Sequence, residues 1–283
     1  MKKKLFLIVI LLAMKIFPSD FLKFAPNNHG SQGLINIPSA RFYSAPSGML
    51  SFYRGFPDRK ATLTLYPYDW LEASIFYSSF KDKPYGSIFT QDYKDKGFNL
   101  KFKIKEQGKW PAFAIGANDI GGTGYYSSEY IVSSYLYGKY DIHIGLGWGR
   151  MNHYKNLKNP FLIFGNIFDE RNSELGRGGT LSFKNLFAGE NISMFAGLSY
   201  KFDSNYQLKI EYDPTETPGG IGFKKRKSDF NIGINYYIKN LVVGINSERG
   251  SNLSFNFSYS DNFLIQRNEY KKINTLSYDK YRD

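Results

Sequence analysis

Apolar and polar residues alternate along most of this chain, and this period of two constrains the fold more than any other feature. In one clear run, Tyr140, Ile142 and Ile144 alternate with Asp141 and His143. Such alternation is typical of β-strands with two different faces, and about twelve such runs are present. The predicted strands lie near residues 48–56, 60–66, 69–80, 98–104, 111–118, 128–137, 140–148, 193–201, 206–212, 230–238, 241–247 and 253–259.

Short connectors join many of these strands. Residues 201–205 and 239–240 are examples, and connectors this short favour antiparallel neighbours. The stretch from about 150 to 190 is longer, with mixed charge and several glycines, and two interpretations stay open for it. It forms either a loop at a barrel rim or a segment folded into a lumen.

The alternation shows two faces but does not say which face points inward. Ten residues at about 3.3 Å each and about 45° of tilt span about 23 Å, close to the apolar band of an outer-membrane barrel. Aromatic residues near strand ends also suit membrane interfaces. These residues are Tyr66, Tyr77, Tyr140, Trp148, Tyr200, Tyr206, Tyr212 and Tyr259. We therefore predict an all-β, antiparallel outer-membrane β-barrel of about twelve strands, with a secreted β-sandwich or soluble barrel as the alternative.

The N-terminus is typical of an export signal. Lys2, Lys3 and Lys4 precede an apolar run from residue 5 to 14. We predict a signal peptide over residues 1–20, a barrel domain over 21–263 and a polar C-terminal tail over 264–283. A short N-terminal anchor is the alternative for the first segment.

Composition excludes several classes of protein. The chain of 283 residues has no cysteine, so neither a disulfide scaffold nor a cysteine-based zinc site is available to it. At 42% hydrophobic and 18% aromatic residues it can bury a core, which argues against disorder. The net charge of +12 on an exported chain favours contact with lipid headgroups, lipopolysaccharide or an acidic polymer over nucleic acid.

Candidate catalytic groups are few. Asp119 and Glu129 flank a turn and could form an acid–base pair, although a buried ion network explains them as well. The glycines at 121, 122 and 124 lack the following helix that a phosphate-binding loop requires. Three histidines without ligand spacing predict no metal site, and His143 should form hydrogen bonds inside the lumen. We expect no enzyme activity and no cofactor.

Charged residues on the polar faces are candidates for binding a polymer. Lys101, Lys103 and Lys105 share one face of one strand and could guide an anionic polysaccharide, or they could pair with carboxylates of the next strand. The full set of polymer-binding or luminal candidates is Arg41, Lys101, Lys103, Lys105, Asp119, Glu129, His143, Lys209 and Glu211.

Five segments share their order and spacing with motifs of a known family. They are residues 33–41 (GLINIPSAR), 93–104 (YKDKGFNLKFKI), 118–130 (NDIGGTGYYSSEY), 145–149 (GLGWG) and 211–213 (EYD). Together they resemble motifs of the YjbH-like family of bacterial outer-membrane proteins of exopolysaccharide production. Asn99 stands where that family often has Asp.

The resemblance implies an exported barrel that serves polysaccharide synthesis or secretion. Family chains are generally longer and continue into a second barrel-like half, so this chain is a short member, a split gene product or a truncation. We therefore predict an outer-membrane accessory protein that guides or binds the polymer without catalysis. Its expected partners are outer-membrane lipid, lipopolysaccharide, anionic exopolysaccharide and other envelope export proteins. A small-solute porin and a secreted carbohydrate-binding β-sandwich are the alternatives.

Overall fold

The computed structural model describes residues 25–84, 91–171, 185–216 and 226–263. The predicted signal peptide over 1–20 and the predicted tail over 264–283 lie outside these residues. Within them, none of the helical segments has the length and apolar character needed to cross a bilayer.

The described chain consists mainly of β-strands. Their bounds are β1 Ser47–Arg54, β2 Asp58–Tyr68, β3 Leu71–Pro84, β4 Asp92–Lys105, β5 Ala112–Asn118, β6 Ser128–Tyr137, β7 Tyr140–Gly147, β8 Leu157–Lys158, β9 Asn191–Lys201, β10 Tyr206–Tyr212, β11 Phe230–Ile238, β12 Leu241–Glu248 and β13 Asn252–Asn262. Three short 3₁₀ turns, Gly149–Met151, Pro160–Phe164 and Asn166–Phe168, lie between β7 and β9.

Twelve of these strands close into an antiparallel barrel. Each pairs with its neighbours in chain order, β7 pairs with β9, and β1 completes the ring by pairing with β13. The two-residue β8 pairs with the start of β9 alone. The predicted architecture and strand positions are confirmed. β3 and β4 extend further than predicted, because their paired ends continue through polar residues that carry no apolar alternation.

The apolar faces point outward and the polar faces point into the lumen. Phe52, Ile144 and Phe255 are among the exposed outward residues, whereas Thr64 and Asn231 are among the buried polar residues that face inward. A β-sandwich, which buries its apolar faces, is therefore wrong for this chain. The polar lumen and apolar exterior are the arrangement of a barrel that lies in a membrane.

The barrel has two distinct ends. We call the end where β1 begins and β13 finishes the terminal end, and the opposite end the loop end. At the terminal end, aromatic rings contact each other in pairs along the outer surface, with centroid distances of 4.8 Å for Tyr140 and Tyr200 and 4.7 Å for Tyr206 and Tyr236. Such rings are typical of a membrane interface, and we call these residues the terminal-end girdle.

Two of the aromatic residues assigned to membrane interfaces lie elsewhere. Tyr66 is fully buried inside the lumen, where its hydroxyl accepts a hydrogen bond from Gln32 at 3.1 Å. Trp148 is fully buried under the loop that follows β7, against the rings of Phe161 and Phe187. The alternation identified the ends of the strands. It could not show that other segments of the chain cover some of these ends.

Candidate functional site: the luminal segment and the mouth

Residues 25–42 fold into the lumen, and we call them the luminal segment. Two isolated bridges, Pro26 with Gln32 and Gly33 with Pro38, shape it into tight turns. Its side chains Leu34, Ile35 and Ile37 are buried. The sequence pattern points only to residues 150–190 as a segment that could fill the lumen. Of these, the described residues 150–171 and 185–190 lie at the loop end instead.

Glu211 binds the backbone of the luminal segment at its centre. Its carboxylate accepts backbone N–H bonds from Ile35 at 2.9 Å, Asn36 at 2.8 Å and Ile37 at 3.3 Å, and a side-chain bond from Asn231 at 2.8 Å. The segment has turned away from any sheet here, so its N–H groups need acceptors from the barrel wall. A carboxylate with two oxygens can serve all of them.

Lys209 complements Glu211 on the same face of β10. Its ammonium group donates to the carbonyl oxygen of Leu34 at 3.0 Å. The two charged residues therefore satisfy both N–H and C=O groups of one short stretch of the luminal segment. Both side chains are buried, and neither is directed at open solvent.

Lys101 and Glu72 form a second attachment point. They lie opposite each other on β4 and β3, and their charged groups are 2.8 Å apart. Lys101 also donates to the carbonyl oxygens of Ser39 and Arg41, while Glu72 accepts from the side chain of Ser31. This is the cross-strand pairing that is the alternative to polymer guidance for Lys101.

Arg41 of the luminal segment forms a third attachment point on β7. Its guanidinium group makes a two-bond contact with Asp141, at 2.6 and 3.0 Å. His143 lies beside this pair, and its ring forms a 2.8 Å hydrogen bond with Ser134, which also accepts from the backbone N–H of Ala40. His143 is thus buried in the lumen and hydrogen-bonded.

Near the loop end, a fourth network surrounds Asn36. Its side-chain amide donates to Asp213 at 3.0 Å and to Glu248 at 3.1 Å. Arg249 contacts both carboxylates, at 3.2 and 3.8 Å. Burial alone would raise the pKa of Asp213, but Arg249 and Arg226 outweigh that effect and hold this pKa below its usual value. The carboxylate therefore stays charged as an acceptor for the luminal segment.

Glycines on the luminal faces leave space for the apolar side chains of this segment. A Cβ atom at Gly197 would lie 2.6 Å from Leu34 Cδ2 and 2.7 Å from Ile37 Cδ1. A Cβ at Gly233 would lie 3.1 Å from Ile35 Cδ1. The barrel wall and the segment are therefore complementary in shape as well as in charge.

The other two lysines of the predicted row differ from Lys101. Lys103 is partly exposed, 3.8 Å from Glu106, and its ammonium group lies 5.2 Å from the ring centre of Phe42. Lys105 is exposed at the terminal end of β4. The row therefore runs from a buried ion pair to solvent, and polymer binding by these lysines stays a prediction.

Asp119 and Glu129 are placed on different sides of the wall. Asp119 follows β5 and accepts a hydrogen bond from the backbone N–H of Tyr126 at 3.0 Å. Burial raises its pKa to about 7, and the nearby carboxylate of Asp95 adds to this rise. Glu129 pairs with Arg171 at 2.6 Å, on the outer side of β6. Among the described residues no hydrogen bond joins the two carboxylates.

A small open cleft lies at the loop end above the luminal segment, and we call it the mouth. It is lined by Asn28, His29, Asn36, Tyr53, Phe56, Pro57, Asp58, Lys60, Tyr126, Thr215, Glu216, Glu248 and Arg249. Within the described residues, the Nε of Arg249, the hydroxyl of Thr215 and the side-chain oxygen of Asn28 have no hydrogen-bond partner. The mouth therefore combines unused polar groups with aromatic surface.

Three carboxylates and two cations line the mouth, and each cation lies beside a carboxylate. The ammonium group of Lys60 lies 3.5 Å from Asp58 and 3.8 Å from the ring centre of Tyr126. Burial, with the positive charge of Lys60, holds the pKa of His29 well below its usual value, so its ring is neutral. In the part of the chain that the structure describes, no group of acidic and histidine side chains is arranged to hold a metal ion.

Comparison with known proteins gives a family and one curated relative. The family model described as "Exopolysaccharide biosynthesis protein YbjH" matches residues 25–280. A protein of Escherichia coli (strain K12) described as "Uncharacterized lipoprotein YjbH" is 33% identical over 256 residues. The matched region covers 86% of this chain but 36% of the relative, so the chain spans little more than a third of that protein's length.

Among solved structures, similar chains include two porins. A structure described as "KdgM porin" matches with a TM-score of 0.38 and 8% identity, over 77% of this chain and 99% of that chain. A NanC porin structure matches with a TM-score of 0.35 and 10% identity, over 76% of this chain and 98% of that chain.

Proposed function

This chain belongs to the YjbH family of exopolysaccharide biosynthesis proteins, and from that premise we propose that it binds or guides an exopolysaccharide at the bacterial outer membrane. The role is accessory, in polymer production or export, and involves no bond-making chemistry. The apolar outer wall and the aromatic girdle support residence in the membrane.

The occupied lumen is the observation that carries this proposal. The luminal charges Lys101, Lys209 and Glu211 satisfy the backbone of the luminal segment, which leaves them no free face for a polymer. A polymer would therefore meet the protein at the mouth rather than pass through the barrel. A small-solute porin would require the luminal segment to move out of the lumen.

The mouth has the chemistry that sugar recognition requires. Sugars present hydroxyl groups for hydrogen bonding and flat apolar faces that aromatic rings can contact. Tyr53 and Tyr126 supply rings, and Lys60 and Arg249 are the two cations of a lining that also holds three carboxylates. Asp119 and Glu129 have separate partners, so we assign no catalytic role to them.

The test uses the purified barrel in phosphatidylcholine vesicles with two probes, acidic alginate and neutral dextran. We expect alginate to co-sediment with the vesicles, and we expect this binding to weaken as salt rises. Lys60→Gln should weaken binding by about fivefold, the loss of roughly 1 kcal/mol from one charged contact. The exposed Lys158 lies outside the mouth, and Lys158→Gln is the matched control that should change nothing.

Conductance of the same vesicles distinguishes the two barrel functions. Alginate binding without ion conductance supports the accessory role. Steady conductance without binding of either polymer would support the porin instead. In the native host, deleting the gene should lower the amount of exopolysaccharide released, and unchanged release would contradict the proposal.

A further inference from the structure

The loop between β7 and β9 carries the most exposed large apolar side chains of the described residues. Ile163, Phe164 and Ile167 are 81%, 70% and 75% exposed. They belong to residues 160–168, which we call the apolar segment, and this stretch contains no charged residue. Exposed apolar groups concentrated in one short loop mark a contact surface.

This loop covers the outer wall of the barrel. Along β7 the outward-facing Ile144 is 52% exposed, yet Trp148, which continues the same face, is 0% exposed. Trp148 is covered by Phe161 of the apolar segment and by Phe187, with ring centres 5.6 and 5.0 Å away. The apolar segment therefore lies outside the barrel.

Glu129 gives independent support for this placement. It shares the outward face of β6 with Ile131, but it is buried by partners from the same loop. Arg171 makes an ion pair with it at 2.6 Å, and the backbone N–H of Phe187 donates to it at 3.2 Å. A carboxylate on the outer wall is thus enclosed by the loop that carries the apolar segment.

The height of the apolar segment matches a membrane interface. Tyr140 lies in the terminal-end girdle, and Trp148 is higher on the same strand face by about 19 Å, at about 3.3 Å per residue and about 45° of tilt. The apolar band of outer-membrane barrels is about 25 Å tall. The segment over Trp148 therefore lies near the upper edge of the band, with Lys158 and Asp169 flanking it.

We propose that the apolar segment inserts Ile163, Phe164 and Ile167 into the membrane leaflet at the loop end. The lipid-facing wall of the barrel is continuous with this surface, which favours lipid as its occupant. The flanking charges limit the depth, because charged groups stay at the headgroup level. The segment thus provides a lipid contact beyond the strands.

The absence of cysteine from the sequence makes a site-specific test possible. Ile163→Cys is labelled with a fluorophore sensitive to its surroundings, and the protein is placed in phosphatidylcholine vesicles that contain doxyl-labelled lipid. Phe257→Cys on the lipid-facing wall of β13 is the positive control, and the exposed Glu170→Cys just beyond the segment is the negative control. Ile167→Cys repeats the measurement at a second position.

We expect shallow doxyl lipids to quench the label at 163 at least about threefold more than the label at 170, and aqueous iodide to show the reverse order. Quenching at 163 equal to that at 170 would overturn the proposal. A label at 163 shielded from both lipid and iodide would also overturn it, in favour of a second copy as occupant. Quenching at 257 verifies insertion of the barrel, so a failure of membrane residence is recognised separately.

Discussion

Glu211→Gln tests whether buried charge holds the luminal segment in place. The carboxylate accepts four hydrogen bonds, two at each oxygen. An amide keeps one oxygen and replaces the other with an NH₂ group. This group cannot accept hydrogen bonds from the N–H donors that it faces. Whichever oxygen is replaced, two of the four bonds are lost.

The size of the effect follows from these bonds. A hydrogen bond to a charged group contributes about 1.5–3 kcal/mol, so two lost bonds cost about 3–6 kcal/mol. A factor of ten in an equilibrium constant corresponds to about 1.36 kcal/mol. A loss of about 3 kcal/mol therefore changes the ratio of bound to detached luminal segment about 150-fold. Detachment of the luminal segment should therefore become measurable without unfolding of the barrel wall.

Thiol accessibility measures this ratio directly. Ile35 is fully buried, so Ile35→Cys in the otherwise cysteine-free chain should react slowly with a water-soluble maleimide in vesicles. Adding Glu211→Gln should raise the reaction rate about 100-fold or more. Glu190→Gln, the same change at an exposed residue, is the control and should leave the rate unchanged. Equal rates in the two backgrounds would refute the role of Glu211.

Three further changes probe the same architecture. Lys101→Met leaves Glu72 as a buried charge without its partner, so it should lower the free energy of unfolding in urea by about 3–5 kcal/mol. Adding Glu72→Leu should restore part of this loss. An unchanged free energy of unfolding in Lys101→Met would contradict a structural role for the ion pair. Gly197→Val places a side chain against the luminal segment and should speed maleimide labelling of Ile35→Cys. Gly108→Val is the control, because no atoms lie within 4 Å of a Cβ at this position, and it should leave the labelling rate unchanged. Equal labelling rates in the two variants would argue against close packing at Gly197. Asp119 has a pKa of about 7 in the folded state against 3.8 ordinarily, so the folded protein binds the extra proton between these values. The free energy of unfolding should fall as pH rises from about 4 to about 7 and level off above, and a urea titration of Asp119→Asn that keeps this decline would refute the assignment.

The strands were predictable because their signal is local. Successive side chains of a strand point to opposite faces, so a run such as residues 230–238 carries its own evidence for β11. The direction of the faces needed strand length and aromatic positions as well. Once the barrel is formed, the register of β3 and β4 places Glu72 opposite Lys101, which alternation within one strand could not show.

The luminal segment was missed because its partners are distant in sequence. Asn36 and Glu211 are separated by 175 positions, and Asn36 and Glu248 by 212. A local signal was nevertheless present, since residues 25–42 lack alternation and are rich in the Asn, Gly, Ser and Pro that form turns. Such composition identifies an irregular segment but does not show that a barrel closes around it.

Trp148 shows the same limit on the outer wall. Its place at the end of β7 predicted an interfacial position, but residues 161 and 187 bring rings over it from the following loop. The alternation along β7 assigned Trp148 to the correct, outward face. It could not predict the loop that covers this residue.

The luminal segment also determines when the molecule can become complete during folding. Its hydrogen-bond partners lie on strands from β1 to the end of β12, so these bonds span up to 220 positions of the chain. Contacts this distant close large loops and are associated with slow folding. Residues near the beginning of the sequence therefore reach their native environment only after the last quarter of the barrel has been built around them.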